Sequence, residues 1–190
     1  MKFTILTAVA LAAATLAQPA MAQSADPFQG GHFDLESGWG RTGGSRHGSD
    51  GFIYGGRLGY DFTFDKVRVG PEVEITGSTQ KDCIPITTNG VTIQQCQRTD
   101  RDLYAGGRIG YVVAPTVMLY AKAGYTNGRF GLRDGNASDW RGRDRDGYRV
   151  GGGVEYEFIS RFYASLEYRY SHYDRDANQN QVMGGIGVRF

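Results

Sequence analysis

Hydrophobic and polar residues alternate with a period of two through most of the chain after residue 30. In one such stretch, Leu119 and Ala121 alternate with Tyr120 and Lys122. Because successive side chains of a β-strand point to opposite faces, this period indicates strands with one apolar and one polar face. The pattern recurs, and the strands that it predicts are the eight stretches His32 to Gly40, Phe52 to Phe62, Lys66 to Ser78, Asp102 to Val113, Val117 to Gly128, Gly147 to Phe158, Phe162 to His172 and Gln181 to Phe190.

Charged residues are confined to one face of these predicted strands. No position in the apolar rows holds Asp, Glu, Lys or Arg, although 22% of the chain is charged. Two architectures explain this segregation equally well. In a soluble sandwich the apolar rows of two sheets meet and the charged rows face water, whereas in a membrane barrel the apolar rows face lipid and the charged rows line the interior.

Three further features favour the membrane barrel. Short connections (63–65, 114–116 and 159–161) alternate with long ones (41–51, 79–101, 129–146 and 173–180), as in an up-and-down meander. The predicted strands have 9 to 13 residues, which suits a tilted bilayer crossing. Aromatic residues lie near strand ends on the apolar rows, as in interfacial girdles: Trp39, Tyr54, Tyr60, Phe62, Tyr111, Tyr125, Tyr148, Tyr156, Phe158 and Phe162.

The sequence therefore predicts an all-β fold, an eight-stranded antiparallel up-and-down transmembrane β-barrel. Side chains fill the interior of a barrel of this size, so we expect the charged rows to form a paired network in the lumen. Its members are Asp34, Glu36, Arg57, Asp61, Arg68, Glu72, Glu74, Arg108, Lys122, Arg149, Glu155, Glu157, Glu167, Arg169 and Arg189. Pro71 has no N–H for the ladder, so we expect a bulge there or a later start of the third strand.

The N-terminus has the pattern of a secretory signal. Lys2 precedes an uncharged stretch, and Ala20-Met21-Ala22 forms an A-x-A cleavage site. We therefore expect a cleaved signal peptide at 1–22, a short periplasmic segment at 23–29 and the barrel at 30–190. The alternative, an N-terminal buried helix, would have no other helix to pack against.

Composition narrows the function classes. The 29 glycines and 13% aromatic residues exclude a typical all-helical protein, and a formal net charge of +1 supplies no field that would attract nucleic acid. We therefore expect no nucleic-acid partner. We also expect no cofactor and no metal site, since no histidine lies between the two cysteines.

The last strand resembles the C-terminal assembly signal of bacterial outer-membrane barrels, through Val182, Ile186, Val188 and Phe190. Segments such as Gly55-Gly56-Arg57-Leu58-Gly59-Tyr60, Gly106-Gly107-Arg108-Ile109-Gly110-Tyr111 and Leu166-Glu167-Tyr168-Arg169-Tyr170 are typical of the same proteins. The chain from about Gly30 to Phe190 is similar to the small eight-stranded porin-family barrels, which include opacity-type surface proteins and the membrane domain of outer-membrane protein A. The resemblance implies a location in the outer membrane and contact with its lipid, with lipopolysaccharide and with the barrel assembly machinery. It implies no specific activity, because such scaffolds host many functions.

The two cysteines lie in the long connection between the third and fourth predicted strands. Asn89-Gly90 is the favoured centre of a two-residue hairpin turn, and this register pairs Thr88 with Val91. The same register places Cys83 opposite Cys96, and an oxidising compartment would close a disulfide. Two free thiols are the alternative.

The remaining long connections are polar, and we weigh three roles for them and for the barrel. Such charge is usually only solvated surface, but Arg133, Arg141, Arg143 and Arg145 could contact lipopolysaccharide phosphates or a host ligand. The leading prediction is a monomeric protein with a structural or surface-interaction role, and a narrow channel for small solutes is the alternative.

A lipid A modifying enzyme is the third and weakest reading. The Ser two residues after His172 that a deacylase pattern requires is absent, and Ser171 points to the opposite face. A triad of Ser45, His47 and Asp50 is conceivable, but glycine-rich loops hold such residues by chance. His32 is expected to be a polar residue at a strand end. We therefore expect no catalytic residue.

Overall fold

The computed structural model describes residues 28–43, 48–88, 91–134, 141–174 and 177–190. Within these ranges the chain forms nine strands: β1 (Gly30–Gly43), β2 (Gly48–Phe64), β3 (Val67–Ser78), β4 (Lys81–Thr88), β5 (Val91–Ala114), β6 (Val117–Asp134), β7 (Arg141–Ile159), β8 (Phe162–Tyr173) and β9 (Ala177–Arg189). The described residues include no helix that is long and apolar enough to span a membrane. The predicted signal peptide and all but Phe28 and Gln29 of the predicted periplasmic segment lie outside the described ranges.

Eight of the nine strands close into a barrel. The strand order is β3-β2-β1-β9-β8-β7-β6-β5, and β3 also pairs with β5, which joins the two ends of the sheet. Every neighbouring pair is antiparallel. The predicted eight-stranded antiparallel barrel is therefore confirmed, and β4 is a ninth strand that pairs with the outer half of β5.

Short turns and both described chain ends lie at one end of the barrel. The turns from β2 to β3, β5 to β6 and β7 to β8 have two residues each, one fewer than predicted. Asp65 and Arg161 adopt positive φ angles of 55° and 72° in two of these turns. At the same end, the Gly31 N–H donates to the Phe190 carbonyl at 3.0 Å and the Phe190 N–H donates to the Gly31 carbonyl at 2.9 Å. In outer-membrane barrels the short-turn end faces the periplasm.

At the opposite end four strands extend far beyond the length that the sequence predicts. β5 has 24 residues, β7 has 19, β6 has 18 and β2 has 17. Much of the predicted loop 129–146 is therefore strand, and the loop assignment was wrong there. In the connection 79–101, β4 pairs with β5 in the register predicted for the hairpin. The reason is that an antiparallel ladder continues outside the hydrocarbon wherever the backbones stay paired, even when the side chains lose their apolar alternation. We call the part of β5, β6 and β7 above Asp102, Gly128 and Gly147 the extension.

The apolar rows face outward and the charged rows face inward. Leu35 and Ile186 are 65% and 63% exposed, whereas Asp61 and Arg149 are fully buried. Apolar rows of a sandwich would bury each other instead, so the arrangement excludes that alternative. An outward apolar surface of this kind is the surface that lipid covers.

Pro71 lies in an uninterrupted β3, and the expected bulge or later start is wrong. Pairing between β2 and β3 is broken opposite Gly70 and Pro71, yet the register is the same on both sides of the break. On the other side, Pro71 pairs with Gly107 of β5 without a shift. Gly70 permits this close approach, because a Cβ atom there would lie 1.6 Å from the Tyr60 carbonyl oxygen.

Candidate functional site

The structure places the predicted lumen charges along the barrel interior. Glu157 is half-buried near the short-turn end. The other members are buried: Asp34, Glu36, Arg57, Asp61, Arg68, Glu72, Glu74, Arg108, Lys122, Arg149, Glu155, Glu167, Arg169 and Arg189. Three groups of contacts, described below, join most of them across the barrel.

The first group lies toward the short-turn end. Arg108 donates two hydrogen bonds to Asp61, from Nε at 2.9 Å and from Nη2 at 2.5 Å, and its Nη1 donates to Glu155 at 2.7 Å. Arg189 donates to the same two carboxylates, at 2.9 Å to Asp61 and also to Glu155. Two arginines thus share two carboxylates, which satisfies most of the lone pairs and donors of a buried cluster. Arg68 caps this end by donating to backbone carbonyls of the β2–β3 turn.

The second group crosses the middle of the lumen. Arg57 pairs with Asp34 at 2.8 Å on the neighbouring strand and with Glu167 at 2.7 Å on the far wall. The Tyr120 hydroxyl donates to the same Glu167 oxygen at 2.7 Å. Lys122 lies 2.8 Å from the other Glu167 oxygen. Side chains from strands on opposite walls therefore fill the cross-section.

The third group lies toward the extension. Glu74 accepts from Arg149 at 3.0 Å, from Arg169 at 2.6 Å and also from Lys122. Arg169 continues to Glu36 at 2.8 Å. Arg149 continues to Asp102 at 2.6 Å. Every buried carboxylate among the described lumen residues thus has a cation within 4.0 Å, which is the condition for stable burial of charge.

Several interior residues escaped the sequence analysis. Asp102 is buried and pairs with Arg149. Its one signal in the sequence is that it lies an even number of residues from Arg108 on the same strand, so both side chains point inward. Tyr163 and Tyr173 were missed for the same reason, since they continue the inward rows of β8 and donate to Asp34 and Asp102. Extending each inward row by two residues would have found all three.

His32, the third residue of β1, also lies inside the barrel. The ring is fully buried, with Nδ1 3.5 Å from Asp61 and Nε2 3.8 Å from Glu72. It continues the inward row of Asp34 and Glu36, which is the signal that places it there.

Gln80 closes the network at the extension end. Its amide donates to the Gly40 carbonyl at 2.7 Å, and its oxygen accepts from Thr42 at 3.0 Å and from Gln179 at 3.3 Å. The side chain crosses β2 above Gly51, where a Cβ atom would lie 2.4 Å from the Gln80 Cγ. One residue that follows β3 thus joins β1 and β9 at the extension end of the barrel wall.

The disulfide is confirmed. Cys83 and Cys96 are bonded, and the pairing of Thr88 with Val91 sets the register that places them opposite each other. The bond joins β4 to β5 outside the closed ring of strands.

The candidate catalytic groups are not brought together. The Ser171 hydroxyl is buried and accepts from Arg149 at 2.8 Å, whereas His172 lies on the outward row with Nδ1 2.6 Å from the Asn178 side-chain oxygen. Ser45 and His47 lie outside the described residues, and Asp50 faces Arg41 at 3.7 Å. Within the described residues, no group of three His, Cys, Asp or Glu side chains is arranged to hold a metal ion.

The four arginines predicted to contact phosphate lie in the extension. Arg143 is exposed and Arg145 is half-buried, and both continue the inward row of Arg149 on β7. They therefore lie on the side of the extension that overlooks the barrel mouth. The side chains of Arg133 and Arg141, the other two arginines proposed for phosphate contact, lie outside the described residues, although their backbones are paired in β6 and β7.

One exposed acid marks the outer boundary of the apolar surface. The Asp146 carboxylate accepts from the Tyr125 hydroxyl and, at 2.7 Å, from the Asn127 amide. These two hydrogen bonds stabilise the charged form and lower the pKa of the Asp146 carboxyl below its usual value.

Comparison with known proteins agrees with this architecture. The chain is 28% identical over 159 residues to the 25 kDa outer-membrane immunogenic protein of Brucella ovis, over 82% of this chain and 74% of that protein. Among solved structures, Neisserial surface protein A is similar with a TM-score of 0.61 and 13% identity, over 84% of this chain and 97% of that one. Ail of Yersinia pestis, solved in complex with the heparin analogue sucrose octasulfate, is similar with a TM-score of 0.55 and 17% identity, over 85% and 99%.

The family described as outer membrane protein beta-barrel domain matches residues 8–190. With the closed barrel, the outward apolar rows and relatives that are outer-membrane proteins, this match places the protein in the outer membrane. The chain belongs to the outer-membrane protein β-barrel family.

Proposed function

We propose that the protein binds polyanionic glycans at the cell surface through the arginines of its extension, and that it has neither channel nor enzyme activity. The observation that carries the proposal is the division of charge. Cations inside the barrel are held by carboxylates or, in the case of Arg68, by backbone carbonyls, whereas Arg143 on the extension is exposed and forms no ion pair with a described residue. Only a cation of the second kind is available to an external anion.

The geometry favours a ligand with several sulfate or phosphate groups. Arg143 and Arg145 are two residues apart on one face of β7, which separates their Cα atoms by about 7 Å. Guanidinium groups bind planar or tetrahedral oxyanions with paired donors, so a row of them suits a ligand with repeated anionic groups. The complex of Ail with sucrose octasulfate supports the same ligand class for this fold.

Titration of the purified, folded protein with sucrose octasulfate tests the proposal. We expect binding that weakens as salt is added, because screening reduces attraction between exposed charges. Replacing Arg143 and Arg145 together by Gln should weaken binding by at least about tenfold, the loss expected for one charge-assisted hydrogen bond. Arg41→Gln is the matched control, because Arg41 is an exposed arginine that already faces Asp50. Unchanged affinity in the double variant, or no binding by the unmodified protein, would overturn the proposal.

The same proposal predicts that the barrel does not conduct. The side chains of Arg57, Glu167 and Lys122 meet across the lumen. Planar-bilayer recordings should therefore show no steps. Steps that shift when Arg108 or Glu72 is neutralised would support the narrow channel instead. Lipid A that changes in mass when the protein is expressed would support an enzyme.

A further inference from the structure

A second pair of arginines lies on the opposite, outward side of the extension. Arg101 of β5 and Arg129 of β6 are direct partners in the antiparallel register, and both are exposed. Residues paired in this way have Cα atoms about 4.5–5.5 Å apart, so two positive charges stand side by side. Like charges directly opposite each other destabilise a strand pair.

Neither guanidinium group forms an ion pair within 4.0 Å with a described residue. Asp144 is the register partner of Arg129 on β7, but no ion pair joins them within 4.0 Å. The Arg129 side chain instead lies over Gly142, where an added Cβ atom would approach Nε to 2.8 Å. The outward pair at the corresponding place on β1 and β2 is built differently, because there Arg41 faces an acid, Asp50, at 3.7 Å.

The height of the pair points to the ligand. On β5, Arg101 lies two residues farther out than Leu103, the outermost apolar residue of this row. On β6, Arg129 lies four residues farther out than Tyr125 of the aromatic girdle. With about 3.3 Å per residue and a strand tilt of about 40°, Arg129 stands about 10 Å outside the girdle. This is the head-group layer of the outer leaflet, and the side chains face along the membrane rather than toward the barrel mouth.

We propose that Arg101 and Arg129 form a clamp for a phosphate group of an outer-leaflet glycolipid. A phosphate between the two guanidinium groups would accept charge-assisted hydrogen bonds from both and would remove their mutual repulsion. A lipid phosphate is favoured over a soluble anion because the site opens sideways into the membrane surface, where lipid head groups are concentrated. The clamp lies on the other side of the sheet from Arg143 and Arg145, so it does not depend on the glycan site.

Thermal stability in the presence of lipid measures the clamp. The folded protein in neutral detergent is heated with purified lipopolysaccharide, with the same lipopolysaccharide after phosphatase treatment, or with inorganic phosphate, and unfolding is followed by the shift in gel mobility. At a hundredfold excess over the dissociation constant, intact lipopolysaccharide should raise the midpoint by about 5 to 10 °C. The two other probes should raise it far less.

Two variants decide between the clamp and a general effect of lipid. Arg101→Gln with Arg129→Gln should lose most of the lipopolysaccharide-dependent shift, and Arg41→Gln should keep it. Without lipid, either single clamp variant should unfold at the same or a higher temperature than the unmodified protein, because the like-charge contact is gone. This baseline shows that the variants fold.

The proposal is overturned if the double variant keeps the shift or if dephosphorylated lipid is equally effective. An equal effect of inorganic phosphate would overturn the lipid as the source of the anion. Sucrose octasulfate binding should survive in the clamp variants and be lost in the Arg143 and Arg145 variants, so that failure of one site is distinguished from failure of the other.

Discussion

Replacing Arg108 by Met tests whether the interior charges act as a network. Arg108 holds Asp61 with two donors and Glu155 with a third. All three side chains are buried. Without Arg108, Arg189 is the one described lysine or arginine within 4.0 Å of either carboxylate, so two buried negative charges share one cation.

Known magnitudes separate this change from a surface substitution. Removing one partner of a buried ion pair costs about 3–5 kcal/mol, because the other charge stays buried without compensation. Breaking an exposed pair such as Arg41 with Asp50 costs about 0–1 kcal/mol. We therefore expect Arg108→Met to lower the free energy of unfolding by about 4 kcal/mol and Arg41→Met by less than about 1 kcal/mol.

A double variant measures the coupling. Arg108→Met combined with Glu155→Met removes one charge of each sign and leaves Asp61 with Arg189. The double variant should be about 2 kcal/mol more stable than the sum of the two single losses predicts. Urea unfolding in phospholipid vesicles, followed by gel mobility before and after heating, gives the three free energies. A loss in Arg108→Met no larger than that in Arg41→Met, or strict additivity in the double variant, would refute the network.

Three other substitutions probe the wall, the hairpin and the outer boundary. Gly70→Ala should destabilise the barrel by about 3 kcal/mol in the same urea assay, because its Cβ atom would lie 1.6 Å from the Tyr60 carbonyl oxygen; an unchanged barrel would contradict the close approach. Replacing both cysteines by serine should destabilise the hairpin of β4 and β5 by about 3 kcal/mol and leave the unfolding midpoint of the barrel unchanged. Proteolysis of intact cells should then cut this hairpin faster than in the unmodified protein. The carboxyl of Asp146 should have a pKa below its usual value, so its contribution to stability is present at neutral pH and lost as the pH falls through the folded pKa. Tyr125→Phe should raise this pKa in a carbon NMR titration, because the hydrogen bond from Tyr125 is removed. An equal pKa in both proteins would argue against the hydrogen bond.

The barrel could be predicted from the sequence because its signals are local. Alternation and the girdle aromatics are properties of residues within one strand, and the register predicted from the Asn89-Gly90 dipeptide is the one in which Cys83 pairs with Cys96. Where the alternation fades, prediction failed. The outer parts of β6 and β7 were predicted as loop because their polar side chains carry no period, yet backbone pairing keeps them in strands.

The partners within the lumen could not be predicted, because they come from strands far apart in the chain. Arg57 meets Asp34, which is 23 residues away on a neighbouring strand, but it also meets Glu167, which is 110 residues away on the far wall. Parity places each of these side chains inside the barrel. It does not tell which cation stands at the height of which acid, since that depends on strand tilt and on the stagger of the closed sheet.

The residues by themselves determined that apolar and charged side chains lie on opposite faces of each strand, because which face a strand residue occupies depends only on its place in the row. The tertiary structure alone decided which charges are neutralised. Closure of β3 on β5 brings carboxylates to Arg57 and Arg108, whereas the register of β5 with β6 places Arg101 beside Arg129 with no acid between them. Cations of the same kind are therefore paired with carboxylates inside the barrel and stand side by side without an ion pair on the extension, because the neighbours of each charge are set by strand register rather than by sequence.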